Sequence, residues 1–212
     1  KENAASVAVN HYQRVFGEAQ PAPYSADDLK KLADSMTLAS NEFRTSDIPA
    51  GYTYFGQFLN HEISKPDPNT RGGDLSLLIN LHNPEIDLET LYGNGPVTDP
   101  NLFDVDGIRL RLSLTSETPT PVQFDIPRKE NSAEPDLYDN RNDENLALSQ
   151  MHVLLIKFHN ALVTHFQEAG LTDFEAVRSE SILHFQSIIL YDYLKRLLDD
   201  DVYRLLLSGE RR

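Results

Sequence analysis

Two long amphipathic helices are predicted over residues 141–200, because apolar side chains recur there at helical intervals. The first carries Met151, Leu154, Leu155, Phe158, Leu162 and Phe166. The second carries Phe174, Val177, Ile182, Phe185, Ile189, Tyr193 and Leu197. Gly170 is a natural stop for the first helix, and Thr172 with Glu175 forms a capping box for the second. The short loop between them predicts an antiparallel pair.

Further helices and connecting segments precede this pair. Residues 1–50 are interpreted as an N-terminal arm and a first helix that Ser25 caps. An apolar and aromatic helix is predicted over 51–66, where a Pro-Asp-Pro sequence ends it. Residues 113–140, rich in proline and charge, are predicted to form a loop, either an access loop over a pocket or a surface insertion. No strong strand alternation is visible, so the predicted fold class is mainly α, in one domain.

Composition limits the classes of function. The chain has 212 residues, 40% of them hydrophobic, which is enough for one sizeable core. It has no cysteine, which excludes disulfides, thiolate catalysis and iron–sulfur clusters but does not decide between a secreted and a cytoplasmic protein. The net charge of −14 argues against nucleic-acid and anionic-membrane partners. No run of 18 apolar residues predicts a membrane span.

Gln57 and His61 lie four residues apart in an otherwise apolar and aromatic helix. That spacing places the amide and the imidazole on one helical face. Such a pair is typical of a pocket that handles protons away from bulk water. A buried, hydrogen-bonded packing histidine is the alternative that the spacing alone leaves open.

A second motif begins at Arg141 and Glu144 and continues through Met151-His152 and His159-Asn160. Together with Gly56-Gln57-Phe58-Leu59-Asn60-His61-Glu62, it resembles the animal-type haem peroxidase superfamily. This superfamily includes myeloperoxidase-like peroxidases, their bacterial relatives, cyclooxygenases and fatty-acid dioxygenases. The resemblance covers roughly residues 45–200 and is that of a bacterial-type member.

The resemblance implies a helical haem-peroxidase fold and a haem-dependent oxidoreductase that reduces hydrogen peroxide and oxidises small organic molecules or halides. His61 corresponds to the distal acid/base, and Gln57 orients peroxide, water or halide beside it. Arg141 corresponds to the cation that stabilises the leaving oxygen. An ion pair of Arg141 with Asp139 or Asp143 is the structural alternative.

The resemblance also implies a haem b cofactor bound beside His61, Arg141, Glu144 and Asn60. In mammalian members two carboxylates form ester bonds to haem methyl groups. Glu144 matches one of them, whereas the other position is Asn60, whose amide cannot form that ester. At most one covalent link is therefore expected, at Glu144.

Calcium is a further ligand that the resemblance suggests. The family loop before a Leu-Tyr-Gly sequence supplies ligands at alternating positions, joined by the residue after the distal histidine. In this chain the corresponding residues are Glu62, Asn83, the backbone of Glu85, Asp87 and Glu89. Oxygen ligands suit Ca²⁺, although Glu62 and Glu89 differ from the shorter side chains that are commoner there.

The family's proximal histidine lies well beyond the Tyr191-Asp192-Tyr193-Leu194 region, and no histidine of this sequence aligns with it. We therefore expect the chain to be the N-terminal half of a catalytic unit, completed by a second chain or a missing C-terminal half. Two alternatives to the peroxidase stay open. One is a fatty-acid dioxygenase on the same scaffold, and the other is a non-catalytic helical binding module.

Overall fold

Helices dominate the protein, whose computed structural model describes residues 10–12, 24–37, 47–70, 77–114 and 124–209. Within these ranges the α-helices are α1 (Ala26–Thr37), α2 (Gly51–Ile63), α3 (Glu89–Tyr92), α4 (Leu146–Glu168), α5 (Phe174–Ile188), α6 (Leu194–Leu197) and α7 (Asp200–Ser208). Short 3₁₀ turns occur at Pro68–Thr70, Pro100–Leu102 and Asn140–Asp143. The predicted mainly α fold is confirmed.

The strands are short and pair in antiparallel fashion. β1 (Asn10–His11) pairs with β2 (Ile79–Asn80), and β3 (Ser113–Leu114) pairs with β4 (Phe124–Asp125). The last two strands lie inside the range 113–140, which the sequence pattern predicts as a loop. Strands of two residues are too short to produce a readable alternation. Residues 115–123 lie outside the described part, as does most of the predicted N-terminal arm.

The main core lies between α2, α4 and α5. Phe58 of α2 is fully buried and meets the ring of Phe185 from α5 edge-on, with 5.8 Å between ring centroids. Leu148 and Ile156 of α4 belong to the same cluster. On α2, the helical face that buries Phe58 also buries His61, because three residues separate them along the chain.

Side-chain caps define where the two long helices begin. The Asn145 side chain accepts a hydrogen bond from the Leu148 N–H at 2.9 Å, which makes it the N-cap of α4. The N-cap of α5 is Asp173, whose carboxylate accepts the Glu175 N–H at 3.2 Å. The prediction of Thr172 as this cap is therefore wrong by one residue. Aspartate is among the most favoured caps, since its charge also suits a helix N-terminus.

A π-helical turn over Ile189–Tyr193 interrupts the second predicted helix. The Tyr193 ring lies directly on α2, where a Cβ at Gly56 would overlap its hydroxyl. Tyr193 also stacks on Tyr52 with 6.1 Å between ring centroids. The Tyr52 hydroxyl donates to Asp192, the neighbour of Tyr193. The π turn thus brings two consecutive side chains onto the first half of α2.

α4 is long and apolar enough, by length and composition, to cross a membrane. Buried polar side chains nevertheless lie along it, including Ser149, His152 and His159. His159 contacts the Tyr92 hydroxyl at 3.0 Å and the Ile108 carbonyl oxygen at 2.8 Å. The core helix of a globular protein can have the same length and composition. The hydrogen bonds of His159 to Tyr92 and Ile108 are typical of such a core helix.

Candidate proton-transfer site

The candidate site is organised by the 3₁₀ turn Asn140–Asp143, which directly precedes α4. Asp139 caps this turn by accepting the Arg141 N–H at 3.1 Å. Side chains of the turn reach the imidazole of His61 and the carbonyl oxygens at the end of α2. The two sequence motifs, which are far apart along the chain, therefore meet at this turn.

His61 is buried on the core-facing side of α2, with 5% of its surface exposed. Its Nδ1 lies 2.9 Å from Oδ1 of Asn142. Asn142 is fully buried, and its Nδ2 lies 3.1 Å from Nδ1 of His152 on α4. One asparagine side chain thus joins two imidazole rings from different helices. Asn142 was not singled out by its sequence position, although it lies between Arg141 and Glu144 of the second motif.

The His152 ring is enclosed by the core and packs against Phe58, with 6.0 Å between ring centroids. Burial lowers the pKa of His152 to about 4, and the negative charge of Asp139 opposes this effect only in part. A buried imidazolium would lose its hydration, so the ring is uncharged at neutral pH. The contact between His152 and Asn142 is therefore a neutral hydrogen bond.

Gln57 and Glu144 occupy the opposite side of His61. The Gln57 Nε2 donates to Glu144 Oε2 at 3.0 Å, and its Oε1 accepts from Asn145 Nδ2 at 3.1 Å. The same Glu144 oxygen lies 3.8 Å from Nε2 of His61, beyond hydrogen-bond distance. The Glu144 side chain is 51% exposed. Glu144 therefore lies at the surface of the described chain, between the amide of Gln57 and the buried ring of His61.

The guanidinium of Arg141 is held at the end of α2. Its Nη2 donates to Asp139 Oδ2 at 2.7 Å, to the Ser64 carbonyl oxygen at 2.7 Å and to the His61 carbonyl oxygen at 3.1 Å. A cation is favourable at a helix C-terminus, and α2 ends at Ile63 because Ser64 is extended. The ion pair with Asp139 is thus present, and the role of Arg141 at a leaving oxygen stays a prediction.

Asp139 is the centre of a charged network. It is 1% exposed and accepts hydrogen bonds from both Arg141 and His82, the latter at 2.8 Å. Burial alone would raise the pKa of Asp139, but the hydrogen bonds from His82 and Arg141 hold it well below the usual range. Burial alone would lower the pKa of His82, but its contacts with Asp139 and Glu89 raise it overall. The network therefore favours an ionised Asp139.

Glu62, which follows His61 on α2, is fully buried and serves the N-terminus of α3. Its carboxylate accepts the backbone N–H groups of Glu89 and Thr90, and also the Thr90 hydroxyl at 2.6 Å. Burial raises the pKa of Glu62 to about 7, although the hydrogen bonds from Thr90 and Glu89 oppose this shift. A helix N-terminus suits a carboxylate, so protein groups satisfy Glu62 without a metal ion.

Two of the other predicted calcium ligands, Glu89 and Asp87, contact protein partners. Glu89 lies 3.1 Å from the Tyr138 hydroxyl and accepts the Asn83 N–H at 2.8 Å. Asp87 pairs with Arg178 at 3.2 Å, and Glu85 is exposed. Oδ1 of Asp87 is buried without a hydrogen-bond partner. Within the described ranges, no three His, Asp or Glu side chains converge on a metal position. Calcium therefore stays a prediction.

The loop that carries these residues has an unusual backbone. Ile86 and Leu88 have φ values of 56° and 60°, in the left-handed region that bulky side chains rarely adopt. Gln186 of α5 donates to the Ile86 carbonyl oxygen at 3.1 Å, and Leu88 is buried in the core. Backbone strain of this kind persists only where the surroundings over-determine it. Packing against α5 and the core therefore holds the loop before α3 in shape.

Asn60 is exposed on α2, and its Oδ1 lies 3.4 Å from the Ser64 hydroxyl. Its predicted place beside a haem, and the predicted ester at Glu144, stay predictions. At the Nε2 side of His61 the structure presents an amide, from Gln57, and a carboxylate, from Glu144. A neutral imidazole can accept a proton and return it, so this arrangement suits proton transfer at Nε2 of His61.

The fold and the site together define a class of protein. It is a helical protein in which a candidate proton-transfer histidine on α2 meets the turn that precedes α4. The family model of animal haem peroxidase matches residues 72–210. Because that match covers more than half of the sequence, the chain belongs to the animal haem peroxidase family, and the resemblance found in its motifs is confirmed. No curated protein and no solved structure matches the chain significantly.

The family match includes Arg141, Glu144 and all of α4 but begins after α2. The structure itself therefore brings Gln57 and His61 next to the matched region. The family implies a haem. An imidazole nitrogen beside an amide and a carboxylate has chemistry that fits the reactive side of such a group, and Gln57, His61 and Glu144 are the residues that could line it.

Proposed function

We propose that this chain supplies the distal face of a haem-dependent peroxidase that reduces hydrogen peroxide and oxidises small organic molecules or halides. The observation that carries the proposal is the environment of His61. One of its ring nitrogens is engaged by buried Asn142, while the other lies 3.8 Å from partly exposed Glu144. A ring held on one side by a buried amide and bordered on the other by a half-exposed carboxylate is suited to exchange a proton with a small molecule that binds beside Glu144.

Each residue then has a separate task. His61 takes a proton from one peroxide oxygen and returns it to the other, because an imidazole can both accept and donate a proton. Gln57 orients the peroxide beside it with an amide that is itself fixed by Glu144 and Asn145. Arg141 holds the end of α2 so that His61 keeps its position. The haem, when bound, supplies the redox chemistry.

Peroxide reactivity of the haem-loaded protein tests the proposal. Haem is titrated into the protein together with whatever segment supplies its proximal ligand, and the Soret band is followed by stopped flow after peroxide addition. His61→Ala is expected to slow the spectral change by about 10²- to 10⁴-fold, the usual contribution of a general acid–base. His184→Ala is the matched control, since His184 is exposed, makes its polar contacts with Glu180 of its own helix and packs its ring on Phe158 of α4, away from His61.

The outcomes separate the proposal from its alternatives. Equal rates for the His61→Ala variant and the unmodified protein would remove His61 from the chemistry. Oxygen uptake with linoleate in the absence of peroxide would replace the peroxidase by a fatty-acid dioxygenase on the same scaffold. A protein that forms no Soret band under any haem concentration would be the non-catalytic helical module.

A further inference from the structure

We infer that Asn142 is a positioning residue whose amide couples His61 to His152 and holds His61 in the tautomer with hydrogen on Nδ1 and a lone pair on Nε2. The inference deepens the proposed function and rests on it only for its catalytic consequence. No feature of the family match assigns a role to this asparagine.

The argument starts from the chemistry of a primary amide, which has one end that accepts hydrogen bonds and one end that donates them. Oδ1 of Asn142 faces Nδ1 of His61 at 2.9 Å, so the His61 nitrogen must donate and carries the hydrogen. Nδ2 of Asn142 faces Nδ1 of His152 at 3.1 Å, so that nitrogen must accept and carries a lone pair. The amide therefore imposes opposite tautomers on the two rings.

Burial makes this coupling selective. Asn142 is 0% exposed and His152 is 2% exposed, so bulk water cannot substitute for either hydrogen bond. A protonated His152 would donate from Nδ1 and force the amide to rotate, which would reverse the tautomer of His61. The low pKa of His152, which burial brings to about 4, keeps the ring neutral and the amide in its orientation at neutral pH.

The charged groups near the His61–Asn142–His152 relay do not replace the hydrogen bonds of Asn142. Glu144 lies 3.8 Å from Nε2 of His61, too far to hold a hydrogen there. Arg141 contacts the His61 backbone carbonyl oxygen rather than the ring. The lone pair on Nε2 thus points to the Glu144 side of the site, where the proposed function needs a proton acceptor.

Nitrogen NMR of ¹⁵N-histidine-labelled protein tests the inference without haem or peroxide. At pH about 8, above the ordinary histidine pKa of ~6.5, long-range nitrogen–proton correlations identify which nitrogen of each ring carries hydrogen. We expect His61 to carry hydrogen on Nδ1 and His152 on Nε2. In Asn142→Ala the preference of His61 should fall about five-fold, the ratio that one ordinary hydrogen bond sustains.

The matched control is His159→Gln, which removes another buried imidazole of α4 whose partners are Tyr92 and Ile108. It should leave the tautomer of His61 unchanged. If Asn142→Ala does not fold, Asn142→Asp keeps the acceptor for His61 and removes the donor to His152. In that variant His61 should keep hydrogen on Nδ1, while the His152 resonances alone change.

Two results would overturn the inference. One is hydrogen on Nε2 of His61 in the unmodified protein, and the other is an unchanged His61 tautomer ratio in folded Asn142→Ala. Because the measurement uses neither haem nor peroxide, its failure is distinguishable from the failure of the proposed function. A protein with the expected tautomers but no peroxide reactivity would keep the relay and lose the peroxidase.

Discussion

Two buried polar side chains at the Asn140–Asp143 turn connect α2 to other parts of the protein, and they do so through different kinds of contact. On one side, the neutral amide of Asn142 joins His61 to His152 through hydrogen bonds. On the other side, Asp139 joins Arg141 to His82 through charged contacts. Both sides bury their central residue almost completely, since Asn142 is 0% and Asp139 1% exposed.

The difference between these contacts indicates which side fixes the end of α2 and which side is next to the proposed proton transfer. A buried carboxylate must remain paired, because an isolated buried charge is very unfavourable. The Asp139 side therefore holds the end of α2 firmly and has little freedom to change protonation. The Asn142 side holds His61 through hydrogen bonds of a neutral amide, which engage its Nδ1 and leave Nε2 for the proposed chemistry.

Asp139→Asn should cause the largest effect, because it removes the charge on which Arg141 and His82 depend while keeping the side-chain volume. Breaking a buried ion pair costs about 3–5 kcal/mol, so we expect a loss of that size in the free energy of unfolding. Urea unfolding at pH 7 measures it. Asp201→Asn is the matched control, since Asp201 pairs with Arg204 at the exposed surface and should change stability little. Equal losses in both variants would contradict the charged character of this side.

The side of the turn that holds Asn142 and His152 should instead affect how the free energy of unfolding depends on pH. The pKa of His152 is about 4 in the folded protein and ~6.5 in the unfolded chain, so only the unfolded chain binds a proton between these values. Its contribution to stability is therefore fully present above pH ~6.5 and falls by roughly 3 kcal/mol as the pH drops through about 4.

Urea unfolding between pH 7 and pH 4 measures this loss. His152→Gln lacks the titrating ring, so its stability should fall less steeply over the same range. His184→Gln, which alters an exposed histidine on α5, should keep the slope of the unmodified protein. Parallel pH profiles for the His152→Gln variant and the unmodified protein would mean that the ring is not held neutral.

Gly56→Ala should disturb α2, the helix that both Asn142 and Arg141 contact. A new Cβ would overlap the Tyr193 hydroxyl, so α2 or the π turn must shift, at a cost of about 1–3 kcal/mol. Adding Tyr193→Phe should recover part of this loss in a double-mutant cycle measured by urea unfolding. Gly51→Ala on the same helix is the control, because its Cβ would meet no atom within 4 Å. Strict additivity of the two substitutions would argue against the close approach.

Gln57→Ala should have the smallest effect on stability. Its side chain is partly exposed and bridges Glu144 and Asn145, so its loss should cost about 1 kcal/mol or less. Thermal unfolding monitored by circular dichroism measures it. Expressed as a free energy, the loss of peroxide reactivity should exceed the loss of stability. A large destabilisation with no change in reactivity would make Gln57 a packing residue.

Local patterns in the sequence were sufficient for much of this architecture. α4 follows from apolar residues at helical spacing, and its position after Asn145 agrees with ordinary capping chemistry. Gln57 and His61 share one end of the site because four residues along a helix return to the same face. Such inferences need only neighbours within a turn or two.

Features that depend on distant partners could not be predicted in this way. Asn142 acts on a ring 81 residues away, and an asparagine in a turn carries no sign of such a partner. The hydrogen bonds from Thr90 at the N-terminus of α3 to Glu62 likewise join residues 28 positions apart. The π turn was invisible because Ile189 and Tyr193 fit a continuous helical pattern equally well.

The π turn has a consequence for how the chain can change by insertion and deletion. A π turn acts as one additional residue within a helix, and each residue of an α-helix advances the chain by about 100° around the axis. Because the widened turn already absorbs the additional residue, removing one residue from Ile189–Tyr193 would restore regular winding and leave the following helix in nearly the same phase. The side chains within the turn would take new directions, so the widened turn is what places Tyr193 over Gly56.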